Sequence, residues 1–144
     1  MHNIRQIVEG KGNEIWSVGP KDFVIEAVRE MARYRVGAIL VMDDGEMVGM
    51  FSERDYARKV ILADKSSRET RVEEVMNSPV MTIDPRATAE EGLAFMSQNR
   101  IRHLPVVEDG TLLGLVSIGD LVNAVLGDQK RLIEHLESYV RGSV

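Results

Sequence analysis

The chain contains no cysteine among its 144 residues. Disulfides and thiolate metal sites are therefore both excluded, and the composition fits a reducing compartment, with the cytoplasm the expected location. No apolar run approaches the roughly 20 residues needed to span a bilayer. Positive charge is also short: 18 Lys and Arg against 23 Asp and Glu leave a net charge of −5. That balance argues against nonspecific binding to nucleic acid or anionic membranes, so an anionic ligand must find a local basic patch. The opening Met1-His2-Asn3-Ile4-Arg5 lacks the basic-then-apolar order of a secretion signal. Three scattered histidines, His2, His103 and His135, have no metal-ligand spacing. Gly-x-Ser-x-Gly, P-loop and dinucleotide-binding fingerprints are all missing. The adjacent carboxylates Glu73-Glu74 and Glu90-Glu91 would point apart on a helix. The expectation is a protein that is not an enzyme and holds no metal and no catalytic cofactor.

What is present is a duplication. Hydrophobic residues at 44% with 28% charged residues describe a globular protein long enough for a core. Residues 18–56 recur without a gap as residues 83–121, at a constant offset of 65. Pro20, Met31, Arg35, Val41, Asp44, Gly45, Gly49, Ser52 and Asp55 reappear as Pro85, Met96, Arg100, Val106, Asp109, Gly110, Gly114, Ser117 and Asp120. A fixed period sets the architecture before any local reading, and two copies point to a paired module rather than a solenoid.

Each copy reads as β-α-β-β-α. A short extended run (14–18, 80–83) ends at Gly19-Pro20 or Asp84-Pro85. A helix follows with apolar residues at Val24, Ala27, Val28 and Met31, or at Leu93, Ala94 and Met96. Thr88 and Glu91 make a capping box in the second copy, whereas Asp22 is the expected cap in the first. Two β-rich runs flank Asp44-Gly45 or Asp109-Gly110, a strong hairpin signal. Pro105 inside a strand needs an edge or a place where its missing donor is not wanted. A second helix opens at Ser52 or Ser117, a favoured N-cap residue. The expected divisions are an N-terminal helix and lead-in (1–13), a first unit with its connector (14–71), a second unit (72–127) and a C-terminal helix (128–144). That last helix is amphipathic, expected to break near Gly127, and expected to pack against the body or a second subunit.

The recurring heptapeptide carries the chemistry: Gly49-Met50-Phe51-Ser52-Glu53-Arg54-Asp55 and Gly114-Leu115-Val116-Ser117-Ile118-Gly119-Asp120. A strand delivers Ser to a helix start, where hydroxyl and free N–H groups favour a phosphate. An Asp one turn later can accept hydrogen bonds from ribose hydroxyls. The simpler alternative is an N-cap Ser with a first-turn acid, common in any helix. For Arg35 and Arg100 a structural role at a helix C-terminus is expected. Arg58 and Lys59 read first as a solvated helix face.

Gly-h-h-Ser-x-x-Asp after a hairpin (h, apolar), with Ile101-Arg102-His103-Leu104-Pro105-Val106-Val107 upstream, resembles the cystathionine-β-synthase (CBS) domain. Two copies, over about residues 14–127, are similar to a CBS pair or Bateman module, and Ser52–Lys59 resembles small stand-alone bacterial members. The resemblance implies an α/β (α+β) fold of two tandem β-α-β-β-α units packed face to face about a pseudo-twofold axis. It implies two clefts for adenosyl ligands: AMP, ADP, ATP, NAD or S-adenosylmethionine. It further implies a regulatory homodimer acting on a separate, unidentified partner protein, with no nucleic acid or membrane involved.

Carried over by position, the first cleft uses Ser52 and Asp55, with Thr82 near the base and Ile101, Arg102 and His103 lining it. The second uses Ser117 and Asp120, with Ser17 near the base and Val36, Gly37 and Ala38 lining it. Arg54, Arg102 and His103, joined by Arg58 and Lys59 as phosphate contacts, make the first cleft basic; Gly119, Gly37 and Ala38 stand at the aligned positions of the second. Arg-to-phosphate contacts are strong. The first cleft is therefore expected to prefer phosphorylated nucleotides, and the second a less charged adenosyl group or nothing. The other reading that the sequence leaves open is a structural interaction module without ligand binding.

Overall fold

A computed structural model describes residues 2–142. In chain order its elements are α1 (Ile4–Gly10), β1 (Ser17–Val18), α2 (Val24–Tyr34), β2 (Ala38–Asp43), β3 (Glu46–Ser52) and α3 (Glu53–Asp55). A π-helical stretch (Tyr56–Ile61) and a 3-10 turn (Val72–Glu74) follow, then α4 (Ala89–Asn99), β4 (His103–Glu108), β5 (Thr111–Ser117) and α5 (Ile118–Gly142). The fold is α+β with two small sheets. The chain divides into two compact units: residues 15–81 form one, and residues up to 14 join those from 82 onward in the other. Residues 72–81 thus stand with the first repeat, and the N-terminal helix with the second.

In the 15–81 unit, β1 pairs parallel to β2, and β2 antiparallel to β3. The hairpin turns on Asp44 (φ 48°) and Gly45 (φ 80°). Positive φ at both central residues is the type I′ requirement that makes Asp-Gly a hairpin signal. Helix α2 lays Val24, Ala27 and Met31 on the sheet, and Ile39, Val41 and Phe51 complete the core with Val60, Val72 and Val75. The cap expected of Asp22 is not made. Its carboxylate instead accepts the Gly19 N–H at 2.8 Å. Phe23 occupies the N-cap without a side-chain bond. The first N–H groups of α2 find main-chain acceptors in the connector: Val24 N–H donates to Thr70 O (2.8 Å) and Ile25 N–H to Ser67 O (2.9 Å). A helix start closed by backbone needs no capping side chain.

The second unit repeats the hairpin, with Asp109 (φ 49°) and Gly110 (φ 80°) at the turn. Its sheet has two strands where the other has three, because the run expected at 80–83 contributes only one parallel bridge, Ile83 to Val106. Pro105 explains the loss. Its counterpart Leu40 donates its N–H to Trp16 O at 3.2 Å. Proline has no N–H to donate, so the leading strand is held only through Ile83 N–H to Pro105 O and Val107 N–H to Ile83 O. Thr88 caps α4 as expected, its hydroxyl accepting Glu91 N–H at 3.1 Å. Ala89 N–H donates to His2 O (3.1 Å), which does for α4 what Thr70 O does for α2. Arg35 and Arg100 both end their helices in the left-handed region (φ 55° and 54°), a structural role through the backbone.

Helix α5 runs unbroken through Gly127 for 25 residues, contrary to the interruption expected there. The following residue supplies the reason. Asp128 accepts the His2 N–H (2.9 Å), contacts His2 Nδ1 (2.7 Å) and pairs with Arg131 one turn on (2.5 Å), so the helix is pinned where glycine loosens it. Burial pushes the Asp128 carboxyl up, but these bonds outweigh it and hold the group at about 2.

The recurring glycines mark where a distant segment crosses each hairpin. A Cβ on Gly49 would collide with Met76 and lie 3.0 Å from Asn77 O; on Gly114 it would lie 2.8 Å from Val8 Cγ1 of α1. Asn77 pairs with Met50 along the β3 edge through bonds of 2.8 and 3.1 Å. The segment before each repeat therefore closes the other repeat. We expect Gly114→Ala to cost about 1–3 kcal/mol by overpacking. Val8→Ala should relieve part of that, so the double variant loses less than the sum of the singles in urea denaturation.

Candidate ligand-binding site

Ser52 and Asp55 form a reciprocal cap at the β3–α3 junction. Asp55 N–H donates to Ser52 Oγ at 3.2 Å, and Ser52 N–H donates to Asp55 Oδ2 at 2.9 Å. Ser117 and Asp120 do the same at the β5–α5 junction, at 3.1 and 2.8 Å. The capping alternative read from the sequence is thus built in both copies. Each junction is anchored to the strand start beside it: Glu53 N–H donates to Gly37 O (3.0 Å) and Ile118 N–H to Arg102 O (2.8 Å).

In the 15–81 unit, Asp55 is buried, 7% exposed, which a lone carboxylate would not tolerate. It is satisfied by Ser52 Oγ (2.9 Å) and by Asn77 Nδ2 (2.7 Å), both on Oδ2. Lys59 Nζ stands 3.6 Å from the other oxygen and donates to Asn77 Oδ1 at 2.8 Å. Lys59 is therefore drawn into the aspartate's network rather than left on a solvated face, while Arg58 is exposed. Arg54 is half-buried beside them. Ala38 sits opposite Ser52 in the hairpin, Val36 and Gly37 lead into that strand, and Ser17 lies on β1 opposite Leu40.

In the second unit, His103 sits opposite Ser117, with Ile101 half-buried, Arg102 exposed and Thr82 exposed at the start of the unit. Asp120 is bound through Oδ2 to Lys11 Nζ at 2.7 Å, and that ammonium also donates to Leu115 O at 3.0 Å. Burial pushes the Asp120 carboxyl up, but the Lys11 and Ser117 bonds outweigh it and leave it below its ordinary 3.8. Burial, then Lys11 and Arg102, push His103 below its ordinary 6.5, against the pull of Asp120. The shift favours the neutral ring of His103 over its cation. Lys11 and Asp120 also border an open cavity of about 360 Å³ between α1 and α5, shared with Gln6, Asn123 and Arg131.

Lys11 and Asn77 are the residues that reading the repeat alone misses, because both lie in the crossing segments outside it. Each sets its polar end 2.7 Å from Oδ2 of the aspartate it serves. No cluster of His, Cys, Asp and Glu able to hold a metal occurs among the described residues. No helix among the described residues is long and apolar enough to cross a membrane.

The CBS domain family matches residues 4–62 and 72–127, and the chain belongs to it. It is 36% identical over 136 residues to the mitochondrial CBS domain-containing protein CBSX3 of Arabidopsis thaliana, covering 91% of this chain and 66% of that protein. It is 33% identical to CBS domain-containing protein YhcV of Bacillus subtilis (strain 168), covering 75% of this chain and 76% of that one. Among solved structures, a protein with CBS domains from Burkholderia ambifaria MC40-6 is similar at 45% identity with a TM-score of 0.84. That likeness covers 88% of this chain and 96% of that one. The chain is thus a CBS pair, a module of the regulatory, ligand-sensing kind.

Lys11→Met should raise the Asp120 pKa, read by NMR titration of the carboxylate. Because that pKa is lowered by folding, Asp120 contributes stability above about 3.8 that is lost as pH falls through its folded value. Lys11→Met should shrink this acid-side contribution. His103 has the opposite charge type. With its folded pKa depressed, the unfolded chain takes up the proton first as pH drops below about 6.5, so stability falls there. His103→Gln should flatten that slope in pH-dependent urea melts.

Proposed function

We propose that this CBS pair senses an adenosyl ligand (AMP, ADP, ATP, NAD or S-adenosylmethionine) and acts on a separate partner protein. The observation that carries the reading is the identical placing of Asp55 and Asp120. Each is fixed by a serine at a strand-to-helix junction that commits one carboxylate oxygen to the scaffold, and the other oxygen is the acceptor we assign to ribose. Preorganisation of this kind lowers the ordering cost of binding. At the first repeat, Arg54 and Arg58 flank Asp55 in sequence, with Lys59 held at 3.6 Å from it, and this basic stretch favours a phosphorylated ligand. At the second, Gly119 replaces Arg54, and Lys11 is already engaged by Asp120, which favours a less charged adenosyl group.

One observation supports the competing reading, a structural module without ligand. Both aspartates are already satisfied, by Ser52 and Asn77 or by Ser117 and Lys11. Calorimetry with AMP, ATP, NAD and S-adenosylmethionine separates the two, and no heat with any of the four leaves only the structural module. On the sensing reading, Asp55→Ala weakens nucleotide binding by about 1–3 kcal/mol for the lost hydrogen bonds. Asn77→Ala, which removes one scaffold partner and spares the acceptor, should weaken binding less than Asp55→Ala does.

A further inference from the structure

The open cavity of about 360 Å³ that Lys11 borders lies between α1 and α5, both within the second unit. Its volume is that of a small-molecule site. Two glycines on its walls lack a local reason to be there. Gly127 is inside α5, where glycine lowers helix stability relative to alanine. A Cβ on it would meet only the flexible Arg131 guanidinium, at 3.6 Å. A Cβ on Gly10, at the end of α1, would meet nothing within 4 Å. Neither residue has a positive φ. Packing and backbone conformation would both accept a side chain, so what glycine preserves at these positions is room in the cavity.

The polar groups around that room are donors with capacity left over. Lys11 Nζ gives two of its three N–H groups to Asp120 and Leu115 O and keeps one. Arg131 meets Asp128 and His2 through Nη2 alone, which leaves the N–H groups on Nε and Nη1. Gln6 accepts the Asn3 N–H through Oε1, and its amide N–H groups remain. The Asn123 side chain has no hydrogen-bond partner among the described residues. The carboxylates beside them are already answered, Asp120 Oδ2 by Lys11 and Ser117 and Asp128 by His2 and Arg131. Surplus donors call for acceptors, and the two cations stand at opposite ends. About three turns of α5 separate Asp120, which holds Lys11, from Arg131.

We propose that this cavity binds a short-chain dicarboxylate, one acid group on Lys11 and the other on Arg131. The Gln6 and Asn123 amides donate to its oxygens, and its carbon chain lies over Gly127 and against Ile7. The site makes no use of the Asp120 oxygen assigned to ribose, so it stands whether or not an adenosyl ligand binds.

The full-length chain titrated with succinate, glutarate and adipate, followed by calorimetry and by the side-chain amide signals of Asn123 and Gln6 in NMR, provides the test. Saturable binding of at least one diacid is expected, about tenfold or more tighter than acetate, which reaches only one of the two cations. Asn123→Asp sets a carboxylate where a donor is needed, at an exposed position, and should weaken binding by about tenfold or more. Gly127→Leu should abolish binding by filling the cavity, while the urea midpoint holds or rises. The proposal is overturned if none of the three diacids saturates the protein, or if either variant binds like the parent. Acetate or inorganic phosphate binding as tightly as the diacids would mark a single-anion site and overturn it as well.

Discussion

The structure depends on a crossing of segments: each repeat is closed by the stretch of chain that precedes the other one. Residues 67–77 lend carbonyls to the start of α2, pair along β3 and place Val72 and Val75 in the first core. Residues 2–11 lend the His2 carbonyl to α4 and place Ile4 and Val8 in the second core. Without these segments each hairpin would expose an unpaired edge or an apolar face, and each helix would begin with unanswered N–H groups. The glycines at 49 and 114 follow from this constraint, since only a residue without a Cβ lets the crossing segment lie close.

The same crossing shapes the candidate site. A carboxylate as buried as Asp55 must have partners, and Asn77 arrives on the segment that crosses β3. Asp120 is less buried and receives a full counter-charge from Lys11. The two copies therefore hold one geometry by different chemistry: a neutral amide with a lysine at a distance in one, a direct ion pair in the other. In both copies one carboxylate oxygen is tied to the scaffold, so the orientation of the group is fixed.

Much of this was legible in the residues. The fixed offset gave the tandem architecture, Asp-Gly gave both hairpins with their turn type, and Ser-x-x-Asp gave the two junctions. What could not be read were interactions whose partners lie far apart in sequence. Asp22 looked like a cap because no local pattern announces that Thr70 O and Ser67 O will fill the role. Gly127 looked like a break because its propensity is local, whereas the pin at Asp128 comes from His2 at the other end of the chain. Lys11 and Asn77 escaped for the same reason. Pro105 is awkward in a strand on local grounds alone, and the cost it exacts is the missing third strand.

The order of synthesis gives the crossing a further consequence. The first repeat can close its core only after residue 75 has emerged, a short wait. Ile4 and Val8 leave the ribosome before anything they will touch, and their site is incomplete until Leu121 has been made. Within this module the earlier segment thus docks late, and two apolar side chains must stay unclaimed until the residues up to Leu121 have been made.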